Sequence, residues 1–193
     1  GMGAHGHQDN GSTVIFHKGL PLVIDPGRFK YTGDEISFSQ IGVKGHFIPF
    51  SLKEQWDFAV DSPLFNNPYF KSNVSIDLIS DHKLVLVLSN WNSQLVIKRI
   101  FLMIEDKLVI TDECIKGEAV YTSLNFPYKK QSVKENNNSF GFDKVELHIN
   151  NHSSKSEIDF SEEYYSPSYG FLEIGSKLTS NLNNKMEYIL KSK

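Results

Sequence analysis

The stretch Gln94-Leu95-Val96-Ile97-Lys98-Arg99-Ile100-Phe101-Leu102-Met103-Ile104-Glu105-Asp106-Lys107-Leu108-Val109-Ile110-Thr111-Asp112-Glu113-Cys114 decides the fold. It reads as two long strands rich in β-branched and aromatic residues, turned at Glu105-Asp106-Lys107, a hairpin whose Ile97, Ile100, Leu102, Leu108 and Ile110 are core candidates. Similar short runs lie on both sides of it: Thr13–Phe16, Leu20–Ile24, Glu35–Phe38, Phe47–Phe50, Val74–Ile79 and Lys83–Leu88 before, and Ala119–Asn125, Lys144–Ile149, Ser156–Phe160, Gly170–Ile174 and Lys185–Leu190 after. Turn chemistry separates them, as at Asp25-Pro26-Gly27, Tyr31-Thr32-Gly33-Asp34 and Lys116-Gly117. No long window keeps a 3.6-residue apolar stripe, although Ser51–Val60 predicts a turn or two of helix around Trp56. About a dozen strands need two packed sheets, so the expected fold is all-β, a large antiparallel β-sandwich filling residues 1–193 as one domain.

Composition agrees and excludes several functions. The 193 residues are 39% apolar, roughly 75 side chains, and 22% charged, which suffices for a core and a solvated exterior. A net charge of -3 leaves no basic footprint for phosphate backbones, so no nucleic-acid partner is expected. The longest apolar runs, Leu84–Leu88 and Ile100–Ile104, are far short of the ~20 residues of a spanning helix, and no membrane partner is expected. The single Cys114 excludes an internal disulfide and thiolate-rich zinc modules. The N-terminus GMGAHGHQDN has neither the basic nor the apolar region of a secretory signal, and Gly1 ahead of Met2 looks like a tag scar or gene boundary.

Four of the seven histidines, His5, His7, His17 and His46, fall in the first quarter of the chain. On a strand, His5 and His7 share one face. Asp25 ends the second strand run after that pair, just before Pro26-Gly27, and His46 opens the fourth. Two imidazoles and a carboxylate on neighbouring strands suit zinc, with a fourth position for water or substrate. The same spacing also fits a frayed terminal pair and a hydrogen-bonded edge histidine. His17, His82, His148 and His152 have no comparable company and read as surface or hydrogen-bonded residues. A cupin pattern would need a Glu soon after the second His, whereas the nearby acid is Asp9 and the next Glu is Glu35.

A longer pattern runs through His5-Gly6-His7-Gln8-Asp9-Asn10-Gly11-Ser12, Gly19-Leu20-Pro21-Leu22-Val23-Ile24-Asp25-Pro26-Gly27 and Tyr31. It resembles the opening of the C-terminal β-sandwich region of heparinase II/III-like polysaccharide lyases. Their pattern is His-x-His-x-Asp, a short gap with Ser, Gly-x-Pro-Leu-Leu-x-Asp-x-Gly and a Tyr soon after. Further on, Gly45-His46-Phe47 through Gln55 resembles the family's Ala-His-Asn-Thr strand and Asp-Gly-x-x-Gln turn, with Phe47-Ile48 in place of Asn-Thr. Lys98-Arg99-Ile100-Phe101 and Leu108 to Asp112 resemble its arginine strand and Asp-ending strand.

The resemblance implies cleavage of uronic-acid-containing polysaccharide, heparan sulfate-like or alginate-like, by β-elimination, in which a base removes the proton α to the uronate carboxyl and an acid protonates the leaving oxygen. By position, His5 corresponds to the catalytic histidine that neutralises that carboxyl, and His7, Asp25 and His46 to a structural metal set, usually zinc. The family's catalytic Tyr and a partner His belong to an N-terminal α/α toroid, the expected partner in cis or trans, and no segment of these 193 residues reads as one. The chain alone is therefore expected to be inactive, and the resemblance favours a periplasmic or secreted setting. The alternative is a non-catalytic carbohydrate-binding or assembly module using Trp56, Trp91 and Tyr165 as exposed stacking residues.

Overall fold

The computed structural model describes residues 7–30, 35–59, 69–118, 120–129, 132–133, 139–151, 157–182 and 184–193. In chain order the strands are β1 (Ile15–His17), β2 (Leu20–Val23), β3 (Pro49–Ser51), β4 (Phe58–Ala59), β5 (Tyr69–Phe70), β6 (Asn73–Ile79), β7 (Lys83–Ser89) and β8 (Val96–Ile104). They continue as β9 (Lys107–Lys116), β10 (Val120–Phe126), β11 (Ser132–Val133), β12 (Ser139–Gly141), β13 (Val145–Asn151), β14 (Ile158–Tyr165), β15 (Glu173–Asn181) and β16 (Lys185–Ser192). Eight of them form one sheet in the order β11-β12-β13-β16-β9-β8-β7-β6, and four form a second, β14-β15-β10-β3, while β1-β2 and β4-β5 are small hairpin-like pairs. All pairings are antiparallel. The all-β sandwich expected from the sequence is thus what forms, with the β8–β9 hairpin in the middle of the larger sheet.

The two large sheets share one core. Phe126 of β10 stacks on Phe142 with ring centroids 4.3 Å apart, and Ser180 of β15 meets the Tyr188 hydroxyl of β16 at 2.8 Å. Ile97, Ile110, Leu124, Leu147 and Leu178 are fully buried between them. The β8 face turned into this core carries Ile97 and Arg99, while Ile100 and Leu102 lie on the opposite face and are only half-buried. Arg99 is completely buried and pairs across the hairpin with Asp112, its register partner, through contacts of 2.7 and 2.8 Å. Its remaining guanidinium nitrogen donates to the Phe47 carbonyl at 2.7 Å, and the guanidinium lies 4.2 Å from the Phe47 ring. A fully desolvated charge is tolerated here because its partner is bidentate and its further donor is satisfied.

Two local expectations fail. Glu35–Phe38, read as a strand, belongs to a helix, α1 (Glu35–Ile41). The alternation of Ile36 and Phe38 with polar residues misleads because Ser37 and Gln40, three apart on one helical face, are the buried residues, while Phe38 is 62% exposed. Tertiary bonds hold the short helix: the Gln40 side-chain oxygen accepts from the Phe29 amide, and the Ile41 carbonyl accepts from the Gln8 amide. Within Ser51–Ala59 no helix forms; the Ser51 hydroxyl accepts from the Lys53 and Glu54 amides to make a turn, and β4 follows. Trp56 is buried rather than an exposed sugar platform, donating its indole N–H to the Asn10 carbonyl at 3.2 Å. Trp91 and Tyr165 are half-buried. Among the described residues no helix is long and apolar enough to cross a membrane.

Candidate metal centre

His7, Asp25 and His46 come together. Each offers a ligand atom, and these atoms lie within 4.8 Å of one another. Asp25 follows Ile24, whose bridge to Asn125 attaches the end of β2 to β10. His46 lies in extended backbone between a 3-10 turn, Val43–Gly45, and β3, so it precedes the strand rather than opening it. His7 stands in irregular chain, not on the strand the sequence suggests, and His5, the expected catalytic histidine, lies outside the described residues, as does Tyr31.

Asp25 and His46 are in direct contact, Oδ2 to Nδ1, at 2.8 Å, and the other Asp25 oxygen accepts from the Gly27 amide at 2.9 Å. The His7 ring stands 5.4 Å from that of His46. His46 is wholly buried, yet its Nε2 has no hydrogen-bond partner. A buried polar atom without a partner is costly unless something fills it. Burial opposes the Asp25 carboxylate, but the hydrogen bond and charge of His46 and the Gly27 amide outweigh it and hold Asp25 below the ordinary carboxylate range. Burial first, then the neighbouring His46, pull His7 below the ordinary imidazole value. An ionised carboxylate and a neutral imidazole are the forms that bind metal.

The donor set fits a divalent ion of the zinc type. Donors held 2.0–2.1 Å from a tetrahedral zinc lie about 3.3 Å apart. The candidate ligand atoms lie within 4.8 Å of one another, so the three residues would have to close in around an ion, and the 2.8 Å contact between His46 Nδ1 and Asp25 is a hydrogen bond rather than a pair of free donors.

Three residues hold the ligand-bearing segments, two of which, Asn125 and Gln8, sequence reading did not single out for this role. Asn125 takes the Ile24 amide on its carbonyl at 2.9 Å and gives its side-chain amide to the Gly45 carbonyl at 2.6 Å, so one buried residue fixes the chain next to both Asp25 and His46. Gln8 gives its backbone amide to the Ile41 carbonyl and takes the Val43 amide on its side chain, pinning His7 against the same turn. Arg99 secures the other side of His46 through the Phe47 carbonyl. Nothing in the spacing of Asn125 or Gln8 marks them; an Asn between Leu124 and Phe126 near the end of β10 is the one available signal.

Comparison with solved structures settles the architecture. A heparinase III structure aligns over 97% of this chain with a TM-score of 0.74 and 14% identity. The chain has a heparinase-like fold. A heparan sulfate lyase from Pedobacter heparinus aligns over the same 97% with a TM-score of 0.68 and 17% identity. The chain spans about 30% of the length of the first of these and 31% of the second. No protein-family model matches the sequence, and no curated protein does.

Proposed function

We propose that this chain is the metal-binding β-sandwich portion of a polysaccharide lyase that acts by β-elimination on uronic-acid-containing glycans. The observation that carries the proposal is the convergence of His7, Asp25 and His46, far apart in sequence, with a buried imidazole nitrogen left unpaired. The fold shared with heparan sulfate lyases supplies the context. Zinc held by these residues would be structural: it would tie the His7 segment, the end of β2 and the approach to β3 together, and lend positive potential towards an acidic sugar.

In the reaction, this chain's own part is presentation. His5, two residues before His7, would neutralise the uronate carboxyl so that removal of the α-proton leaves a tolerable charge. The Tyr that moves the proton to the leaving oxygen would come from an α/α toroid, and these 193 residues alone are expected to give no rise in ultraviolet absorbance from unsaturated uronate ends.

Elemental analysis of the purified chain tests the metal. One zinc per chain is expected, lost on His7→Ala or Asp25→Ala. Zinc at 1,000 times its Kd would stabilise the fold by about 4 kcal/mol, or roughly 8–16 °C for a chain of this size. Absence of bound metal and of any thermal response to added zinc would refute the assignment.

A further inference from the structure

On β13, Leu147 and Ile149 are buried in the core, so the alternate residues Glu146, His148 and Asn150 stand on the outer face of the larger sheet. Ser139 of β12 is the register partner of His148, and Glu187 of β16 is that of Asn150. Register partners carry their side chains on one face of a sheet. Here the four are joined in a row: Ser139 Oγ to His148 Nδ1 at 2.7 Å, His148 Nε2 to Asn150 Oδ1 at 2.8 Å, and Asn150 Nδ2 to Glu187 Oε1 at 2.7 Å. All four residues are half-buried.

The far end of the row sets the direction of its hydrogen bonds. An ionised carboxylate only accepts, so Asn150 gives its amide NH2 to Glu187 and turns its oxygen to His148. That oxygen also only accepts, so His148 carries its hydrogen on Nε2. In the neutral ring Nδ1 is then the acceptor, and the Ser139 hydroxyl donates to it. A hydroxyl on a base, with the base oriented by a third group, is the arrangement that activates serine as a nucleophile. Ser139 and His148 both line an open pocket of about 280 Å³. Gly141, which has no side chain to fill it, and the ammonium-bearing Lys107, Lys191 and Lys193 line it too, as does Glu146. Lys191 faces Asp106 at 3.2 Å and Lys193 donates to the Phe142 carbonyl at 2.7 Å, but an ammonium has three donors and one such contact leaves others for a ligand. A hydrogen-bonded row on an outer face adds little to stability, whereas polar groups converging on a concave pocket mark a site.

We propose that Ser139 is a nucleophile, with His148 its general base and Asn150 and Glu187 positioning residues, and that this site hydrolyses small acyl esters. The Ser139 proton passes to His148 Nδ1 as Oγ bonds to the ester carbonyl carbon, whose π pair moves onto oxygen and is met by the lysine ammonium groups. Return of that pair expels the alcohol oxygen, which takes the proton from Nδ1 and leaves Ser139 acylated. Water then attacks the acyl carbon and gives a proton to Nδ1. Collapse breaks the bond to Oγ, the proton returns to Oγ, and the carboxylic acid is released. No residue of the metal group takes part, so this hydrolysis stands or falls apart from the lyase reading.

The test is release of nitrophenolate from para-nitrophenyl acetate by the 193-residue chain. The acetylated residue is mapped by peptide mass spectrometry after acid quenching, and a fluorophosphonate probe is mapped in the same way. Turnover above that of buffer is expected, with the acetyl group and the probe both on Ser139. Ser139→Ala and His148→Gln should each lower turnover by about 100-fold or more with the melting temperature unchanged. Asn150→Leu should lower kcat about tenfold and leave KM as it is, a split that a merely structural role would not produce. Labelling confined to lysines or other residues, turnover no faster than buffer, or a Ser139→Ala chain as active as the parent would overturn the proposal. The labelling map is read on the parent chain, so it decides even where a variant does not fold.

Discussion

Replacing Arg99 by Met asks what the buried ion pair contributes. Both partners are 0% exposed, and Arg99 makes three short hydrogen bonds, two to Asp112 and one to the Phe47 carbonyl. Methionine would fill much of the volume but leave the Asp112 carboxylate facing only the Thr122 hydroxyl at 3.4 Å, and the Phe47 carbonyl without its donor. Removing one partner of a buried pair costs about 3–5 kcal/mol. For a chain of 150–250 residues each kcal/mol moves the melting temperature by roughly 2–4 °C, so a fall of about 6–20 °C is expected in a calorimetric scan. Arg99→Met/Asp112→Leu removes the stranded charge and should recover most of that loss. Full recovery is not expected, because the Phe47 carbonyl stays unsatisfied, at about 1–3 kcal/mol. A single variant within ~1 kcal/mol of the parent, or a double variant no better than the single, would refute the reasoning.

Other residues give independent tests. Asn125→Ala removes the donor to Gly45 but leaves the backbone bond to Ile24, so zinc affinity measured by competition with a chelator should drop about 10- to 100-fold with the sheet intact; unchanged affinity would show that the clamp is irrelevant. Gly27→Ala puts a Cβ against the Ser166 carbonyl at a positive φ and should lower stability by more than ~1 kcal/mol, read by urea unfolding. Tyr165, pushed from 10 up to about 12 by burial and by its hydrogen bond to Glu173, keeps its proton longer in the fold than in the unfolded chain. Its stabilising effect should be complete below pH 10 and fade as the pH rises towards 12, and Tyr165→Phe should remove a late step from the tyrosinate absorbance titration.

Much of the architecture was legible because runs of β-branched and aromatic residues bounded by turn chemistry are a local signal, and the β8–β9 hairpin is rich in such residues on both sides of Glu105-Asp106-Lys107. The Glu35–Ile41 helix was not, because its stability comes from bonds to Gln8 and Phe29, which sequence order hides, and its buried face is polar. Glu35 in the first turn and Gly42 just past the end were the local marks of a helix that the Ile36–Phe38 alternation obscured. Trp56 misled for a similar reason: an indole can serve a surface or a core, and here its N–H finds a backbone carbonyl inside. At the site, the three ligand candidates were marked by residue type and spacing. Asn125 and Gln8 were not, since their work is to satisfy backbone groups on segments that only the fold brings near.

The most direct measurement is diffraction from crystals of the zinc-loaded chain recorded on both sides of the zinc absorption edge. The account predicts one anomalous peak between His7, Asp25 and His46, present above the edge and gone below it. A peak elsewhere, or none with zinc in excess, would contradict it.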